Sequence, residues 1–176
     1  DTLRSRGLGD VYKRQVPGDN SVDLLTQDIG LVAFTRADGA LRGCNVYVGG
    51  GMGRTHNKEE TFARIADPLG YVDARHVFDL LQAIVALQRD HGDRRVRRHA
   101  RMKYLIEDRG IGWFRTELKQ NYFDGELKGL RNEPKAKLQD YLGWHRQRAG
   151  LWFVGLPLLC GRLKGEMKSG LRRLVE

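Results

Sequence analysis

The chain has 176 residues, 31 of them Lys or Arg and 22 Asp or Glu, for a formal charge of +9. A composition 40% hydrophobic and 30% charged fits one folded domain of ordinary size and excludes a disordered chain, and no apolar run approaches the ~18 residues of a membrane span. Cys44 and Cys160 form no CxxC pair, zinc knuckle or disulfide framework, so a reducing, cytoplasmic setting is expected.

Residues Asp1–Gln15 (DTLRSRGLGDVYKRQ) have neither helical nor strand periodicity and no apolar h-region. The run resembles the conceptual translation of sequencing-adaptor DNA. It is read as a non-native or disordered leader that packs against nothing. Two strand-like runs follow, Ile29–Thr35 and Leu41–Val48, around Ala37-Asp38-Gly39, a strong hairpin signal. The second run leads into Gly49-Gly50-Gly51. Consecutive glycines supply no packing side chain, so they serve a sharp turn or a close approach of the backbone to a flat or anionic ligand. Val77, Leu80, Leu81, Ile84 and Val85 then form an apolar helical stripe, with its start near Asp73 and its stop at Gly92.

Between Arg89 and Lys103 (RDHGDRRVRRHARMK) stand Arg89, Arg94, Arg95, Arg97, Arg98, Arg101 and Lys103 against only Asp90 and Asp93. Such density binds phosphates of a nucleic acid, a membrane surface or the carboxylates of a cofactor, unless it is only a solvated face. Single-strand binders interleave aromatic residues with their cations, and this segment holds no Phe, Tyr or Trp. A nucleic-acid partner is therefore disfavoured. Helical pieces are expected at Tyr104–Asp108 and Ile111–Lys119, divided at Gly110. A polar connector then runs from Asn121 to Gln139, a strand from Gly150 to Leu159 and a short helix from Met167 to Val175. The class is α+β.

No HExxH or GxSxG motif is present, and His56 with Glu60 makes only two ligands, so no metal site is expected. Cys160, after an apolar run, reads as a buried core thiol. Arg101 and Lys103 pose a geometric question. Positions two apart point about 200° from each other on a helix but to the same side of an extended segment. If both serve one ligand, helix begins only at about Lys103 or Tyr104. Otherwise Arg97, Arg101 and Tyr104 lie along one exposed helix face.

Three runs taken together resemble a known family. They are NVYVGGGMGRTHNKEETFARIAD (Asn45–Asp67), ALQRDHGDRRVRRHARMKYLIEDRGIGWFR (Ala86–Arg115) and GLWFVGLPLLCGRLKG (Gly150–Gly165). The family is that of the ferredoxin-dependent sulfite reductases, within the sirohaem-containing sulfite and nitrite reductases. The resemblance implies six-electron reduction of sulfite to sulfide with ferredoxin as donor, using sirohaem coupled to a 4Fe-4S cluster. It implies an α+β fold, with a first sirohaem-binding domain over residues 16–120, a connector over 121–149 and the opening of a second ferredoxin-like half-domain over 150–176. The family's cluster cysteines have no counterpart here, so the chain is read as a fragment. Arg101 and Lys103 match the family's basic pair over the distal face of the sirohaem, where they would hold sulfite and favour proton delivery. Family members often have Lys at the position of Arg101, and Lys103 is the better proton donor. Cofactor contacts are expected from Asn45, Gly49, Gly50, Gly51, Gln88, Arg89 and Arg94, with a structural salt bridge as the alternative role for each of the last three. Nitrite reduction is the nearest alternative activity.

Overall fold

A computed structural model describes residues 12–15, 17, 18, 20, 22–134, 141–147, 150–158 and 163–175. Strand β1 (Tyr12–Gln15) pairs in parallel with β2 (Ile29–Thr35), from Tyr12 opposite Ile29 to Gln15 opposite Val32. The expectation that residues 1–15 pack against nothing fails at their end. The reason is that a sheet edge offers unpaired backbone groups to any extended segment, whatever its side-chain pattern. Leu3, Leu8 and Val11, on which that expectation also turned, lie outside the described residues.

The expected hairpin is present. β3 (Leu41–Val48) runs antiparallel to β2, with Ile29 opposite Val48 and Val32 opposite Asn45. Its turn is fixed by Gly39 at a φ of 85° and by Asp38 Oδ1, which accepts the Ala40 N–H at 2.9 Å. β4 (Asp67–Asp73) completes the order β1-β2-β3-β4. Helix α1 (Val77–His91) follows a short 3₁₀ turn and stops at Gly92. α2 (Met102–Glu117) has two helical pieces, because Gly110 adopts φ 81° and ψ 153° within it.

The helices cover one face of the sheet. Ile29, Leu31, Cys44, Val46, Val48 and Val72 meet Leu80, Ile84, Leu87, Met102, Leu105, Ile106 and Phe114 in a single core. The opposite face carries Asn45 and Tyr71, directly paired across β3 and β4. There the expected connector does structural work. Lys128 exchanges both backbone hydrogen bonds with Tyr71 at 2.8 and 2.9 Å, and the Arg131 guanidinium lies 4.4 Å from the Tyr71 ring centroid. Tyr47 donates to Glu133, which together with burial raises the phenol's pKa.

The chain divides into two compact units, Asp1–Leu138 and Gln139–Glu176, a boundary that falls inside the expected connector. In the second unit, β5 (Gly143–Arg146) pairs antiparallel with β6 (Trp152–Gly155), and α3 spans Gly165–Val175. The expected strand from Gly150 is thus shorter, and Cys160 lies outside the described residues. Among the described residues, no helix is long and apolar enough to cross a membrane.

Candidate anion-binding site

The hairpin register builds the site. With Ile29 opposite Val48, Asp28 lies beside the glycine run that follows β3. The Asp28 carbonyl accepts the Gly49 N–H at 2.8 Å, the Gln27 carbonyl accepts that of Gly50 at 3.0 Å, and the Arg64 carbonyl accepts that of Gly51 at 2.8 Å. All three glycine amides therefore hold the loop's own base. Gly49 sits at a φ of 81°, a conformation that a side chain disfavours. Arg64 braces the loop further: its side chain donates to the Gly49 carbonyl at 3.1 Å, to Asp67 at 2.6 Å and to Glu107 at 2.9 Å.

The start of α2 meets the same loop from two sides. Arg101 is extended, with φ −80° and ψ 151°, and helix begins at Met102. Tyr104 is buried, so the alternative of one exposed face through Arg97, Arg101 and Tyr104 does not hold. The Arg101 guanidinium forks onto Asp28, with Nε to Oδ1 at 3.2 Å and Nη2 to Oδ2 at 2.8 Å, and Nη2 also reaches the Gly50 carbonyl at 3.4 Å. Lys103 goes inward. Its residue is 1% exposed, and its ammonium donates to the carbonyls of Gly51 at 3.3 Å, Gly53 at 2.7 Å and Phe62. The rings of Phe62 and Tyr104 flank it at 5.6 and 5.0 Å. Burial, and then the nearby Arg101, lower its pKa, with Asp28 opposing.

Outside this pair lies a cavity of about 680 Å³, lined by Asp28, Val85, Gln88, Arg89, Gly92, Asp93, Arg94, Arg97, Ala100, Arg101 and Met102. Asp93 shapes its rim by accepting the backbone N–H groups of Arg95 and Val96 at 2.8 and 3.0 Å, which depress its pKa. Gln88 donates to the Ala100 carbonyl at 2.9 Å, while its buried Oε1 has no partner among the described residues. Arg89 pairs with Asp90 at 2.6 Å, and Arg94 donates to the Arg89 carbonyl at 3.2 Å.

Of the expected site residues, Gln88, Arg89, Arg94 and Arg101 share the cavity wall. Gly51 abuts Arg101: a Cβ added there would lie 3.0 Å from its guanidinium. Lys103 touches the same loop from within but does not line the cavity. Asn45 belongs elsewhere. It is fully buried on the far face of the sheet, where its amide gives to the Arg131 carbonyl at 2.8 Å and takes from the Arg131 N–H at 2.9 Å. Its side chain is bonded to the connector, and it does not line the cavity. Asp28, Arg64 and Arg97 were missed. The hairpin register was a usable signal for Asp28, since it places the residue before β2 next to the residue after β3.

The glycine loop and the arginine-lined cavity gather Arg89, Arg94, Arg97 and Arg101, an arrangement that can attract a ligand with several negative charges. The chain belongs to the nitrite and sulphite reductase 4Fe-4S domain family, whose model matches residues 13–126. It is 57% identical over 164 residues to the sulfite reductase [ferredoxin] of Synechococcus elongatus, covering 91% of this chain and 26% of that protein. It is 38% identical to the sulfite reductase [NADPH] hemoprotein beta-component of a Paenibacillus species, covering 92% of this chain and 29% of the relative. The structure of the Mycobacterium tuberculosis NirA protein is similar, with a TM-score of 0.68 and 29% identity over 84% of this chain and 26% of that one. The chain thus spans between 26% and 29% of these three proteins.

Proposed function

We propose that this chain is part of a ferredoxin-dependent sulfite reductase and supplies the cationic, glycine-lined wall of its sirohaem and sulfite site. One observation carries the reading: Arg101, the residue matching the family's substrate-side pair, lies at the meeting point of the glycine loop and the arginine-lined cavity. The residues fit a polycarboxylate cofactor at its periphery, because Arg89, Arg94, Arg97 and Arg101 outnumber Asp28 and Asp93 in the lining. They do not fit its iron. Among the described residues no group of His, Cys, Asp and Glu could hold a metal, and Cys44 is buried in the core. Sirohaem and a 4Fe-4S cluster, completed by other parts of the enzyme, would supply the electrons for the six-electron reduction.

The side chains here bind and orient. Arg89, Arg94 and Arg97 attract the carboxylates, and Gln88 adds hydrogen-bonding capacity. Arg101 grips the substrate anion by charge-assisted hydrogen bonds. Lys103 holds the loop against which that anion rests, and it delivers a proton only by releasing one of its three carbonyls. Residues 150–176 open a ferredoxin-like half-domain, and the setting is the cytoplasm. Among the described residues no Phe, Tyr or Trp lines the cavity, which disfavours a base-stacking surface.

The test is expression of the complete reading frame and assay of sulfide formation from sulfite with reduced ferredoxin, with nitrite in parallel. Sulfite preferred over nitrite supports the reading. Preference for nitrite would instead support the second reading, which the family's description, naming both nitrite and sulphite, leaves open.

A further inference from the structure

We propose that Asp28 is a positioning residue for the anion site: its carboxylate fixes the Arg101 guanidinium so that the Nη1 edge faces a bound anion. The inference rests on the reading of this cavity as the sulfite site, and it adds a residue that acts through Arg101 without touching substrate. A guanidinium has five N–H donors. Asp28 takes Nε and one Nη2 proton at 3.2 and 2.8 Å, and the Gly50 carbonyl takes the other at 3.4 Å. Among the described residues Nη1 has no hydrogen-bond partner. The plane is fixed as well as the edge, since the group lies against Gly51, where a methyl would crowd it at 3.0 Å.

Asp28 is itself well held. It immediately precedes β2, its carbonyl is bonded to Gly49, and its side chain is only 21% exposed against 44% for that of Arg101. The less mobile partner therefore orients the more mobile one. The carboxylate has a second effect of opposite sign, because it adds negative charge to a cavity meant for anions. Charge and orientation separate kinetically. Excess positive charge favours the bound ground state, whereas a pre-aimed donor stabilises charge as it develops in the transition state.

The experiment uses the complete, sirohaem-loaded enzyme and the variants Asp28→Asn, Arg101→Ala and their combination. Sulfite affinity is read from the visible absorption change on titration, and kcat from turnover with a chemical electron donor. Asp28→Asn is expected to bind sulfite as tightly as wild type or several-fold tighter, while kcat falls about tenfold. In the Arg101→Ala background the same substitution is expected to change kcat less than about twofold, since the two residues act as one unit. Asp28→Glu, which keeps the charge and can re-form the fork, is expected to recover kcat to within about threefold of wild type. If Asp28→Asn does not load sirohaem, Asp28→Ser takes its place with the same expectations. Undiminished kcat, weakened sulfite binding at equal sirohaem content, or an equal loss with and without Arg101 would each overturn the proposal. Wild-type enzyme that fails to reduce sulfite would instead overturn the functional reading, a result that no Asp28 variant can mimic.

Discussion

Lys103→Met removes an ammonium from the centre of a loop and leaves an apolar stem of similar length in its place. Three carbonyls lose a charged donor. They do not lose equally. The Gly51 carbonyl keeps the Arg64 N–H at 2.9 Å, and Gly53 is exposed, so water replaces its lost bond. The Phe62 carbonyl is part-buried and keeps no other described partner. Hydrogen bonds to charged groups contribute ~1.5–3 kcal/mol each, and relief of the buried charge offsets part of the total. A net loss of about 2–3 kcal/mol in the stability of the closed loop follows. At 1.4 kcal/mol per tenfold, this is a ~30- to 150-fold fall in local protection against amide hydrogen exchange. The reporting amides are those of Thr55, Lys58 and Thr61, which bond within the loop at 2.8, 3.2 and 3.1 Å. Exchange in the complete protein, with Leu80–Leu87 of α1 as internal reference, measures it. Unchanged protection of the loop with reduced sulfite turnover would refute the loop-holding role and return Lys103 to substrate chemistry alone.

Three further outcomes are expected. Asn45→Ala should cost about 2–4 kcal/mol by breaking the reciprocal pair with Arg131 and leaving a buried void, so that proteolysis within 124–134 accelerates while sulfite affinity at equal sirohaem content stays within about twofold of wild type. Gly51→Ala should displace Arg101 and weaken sulfite binding about tenfold, whereas Gly53→Ala, with open space around the added methyl, should leave sulfite titrations unchanged. Asp93 has a folded pKa below its ordinary value, so its contribution to the 93–96 turn is complete above the ordinary carboxylate range and disappears as pH falls through the depressed value. Exchange at the Arg95 and Val96 amides should therefore stay protected down to that pH, and Asp93→Asn should abolish the transition.

Much of the fold was legible because the local signals agreed with one another. The Asp38-Gly39 turn, the stripe from Val77 to Val85 and the break at Gly110 each state their conformation in a few residues. β4 was not legible: Pro68 and Gly70 interrupt its pattern, and its pairing with β3 comes from tertiary context. β1 was hidden for a similar reason, since its pairing satisfies backbone groups and needs no side-chain periodicity. The place of Asn45 was not legible because β3 is buried on both faces from Cys44 to Val46, so alternation could not show which side it served. Lys103 was matched to a ligand through the family resemblance, which carries no sign of its burial. Its neighbours Met102, Tyr104, Leu105 and Ile106 are the signal that a lysine there is enclosed.

The two-residue spacing of Arg101 and Lys103 acquires its meaning at the helix N-terminus. Arg101 is the last extended residue and Lys103 the second helical one, so their side chains diverge toward opposite sides of the same glycine loop. The inner one neutralises loop carbonyls that the turn turns toward the core, and the outer one lies against the loop at Gly51. Moving the helix start by one residue would place both cations on a rigid turn about 200° apart, and the loop would keep one grip but not both. The antiparallel register of β2 and β3 supplies the remaining part, since only the pairing of Ile29 with Val48 sets Asp28 where it can receive Arg101. A slip of one residue would flip Asp28 away and carry the core residues of β2 to the other face. The same hydrophobic register that holds the sheet together therefore fixes the charge geometry of the anion site.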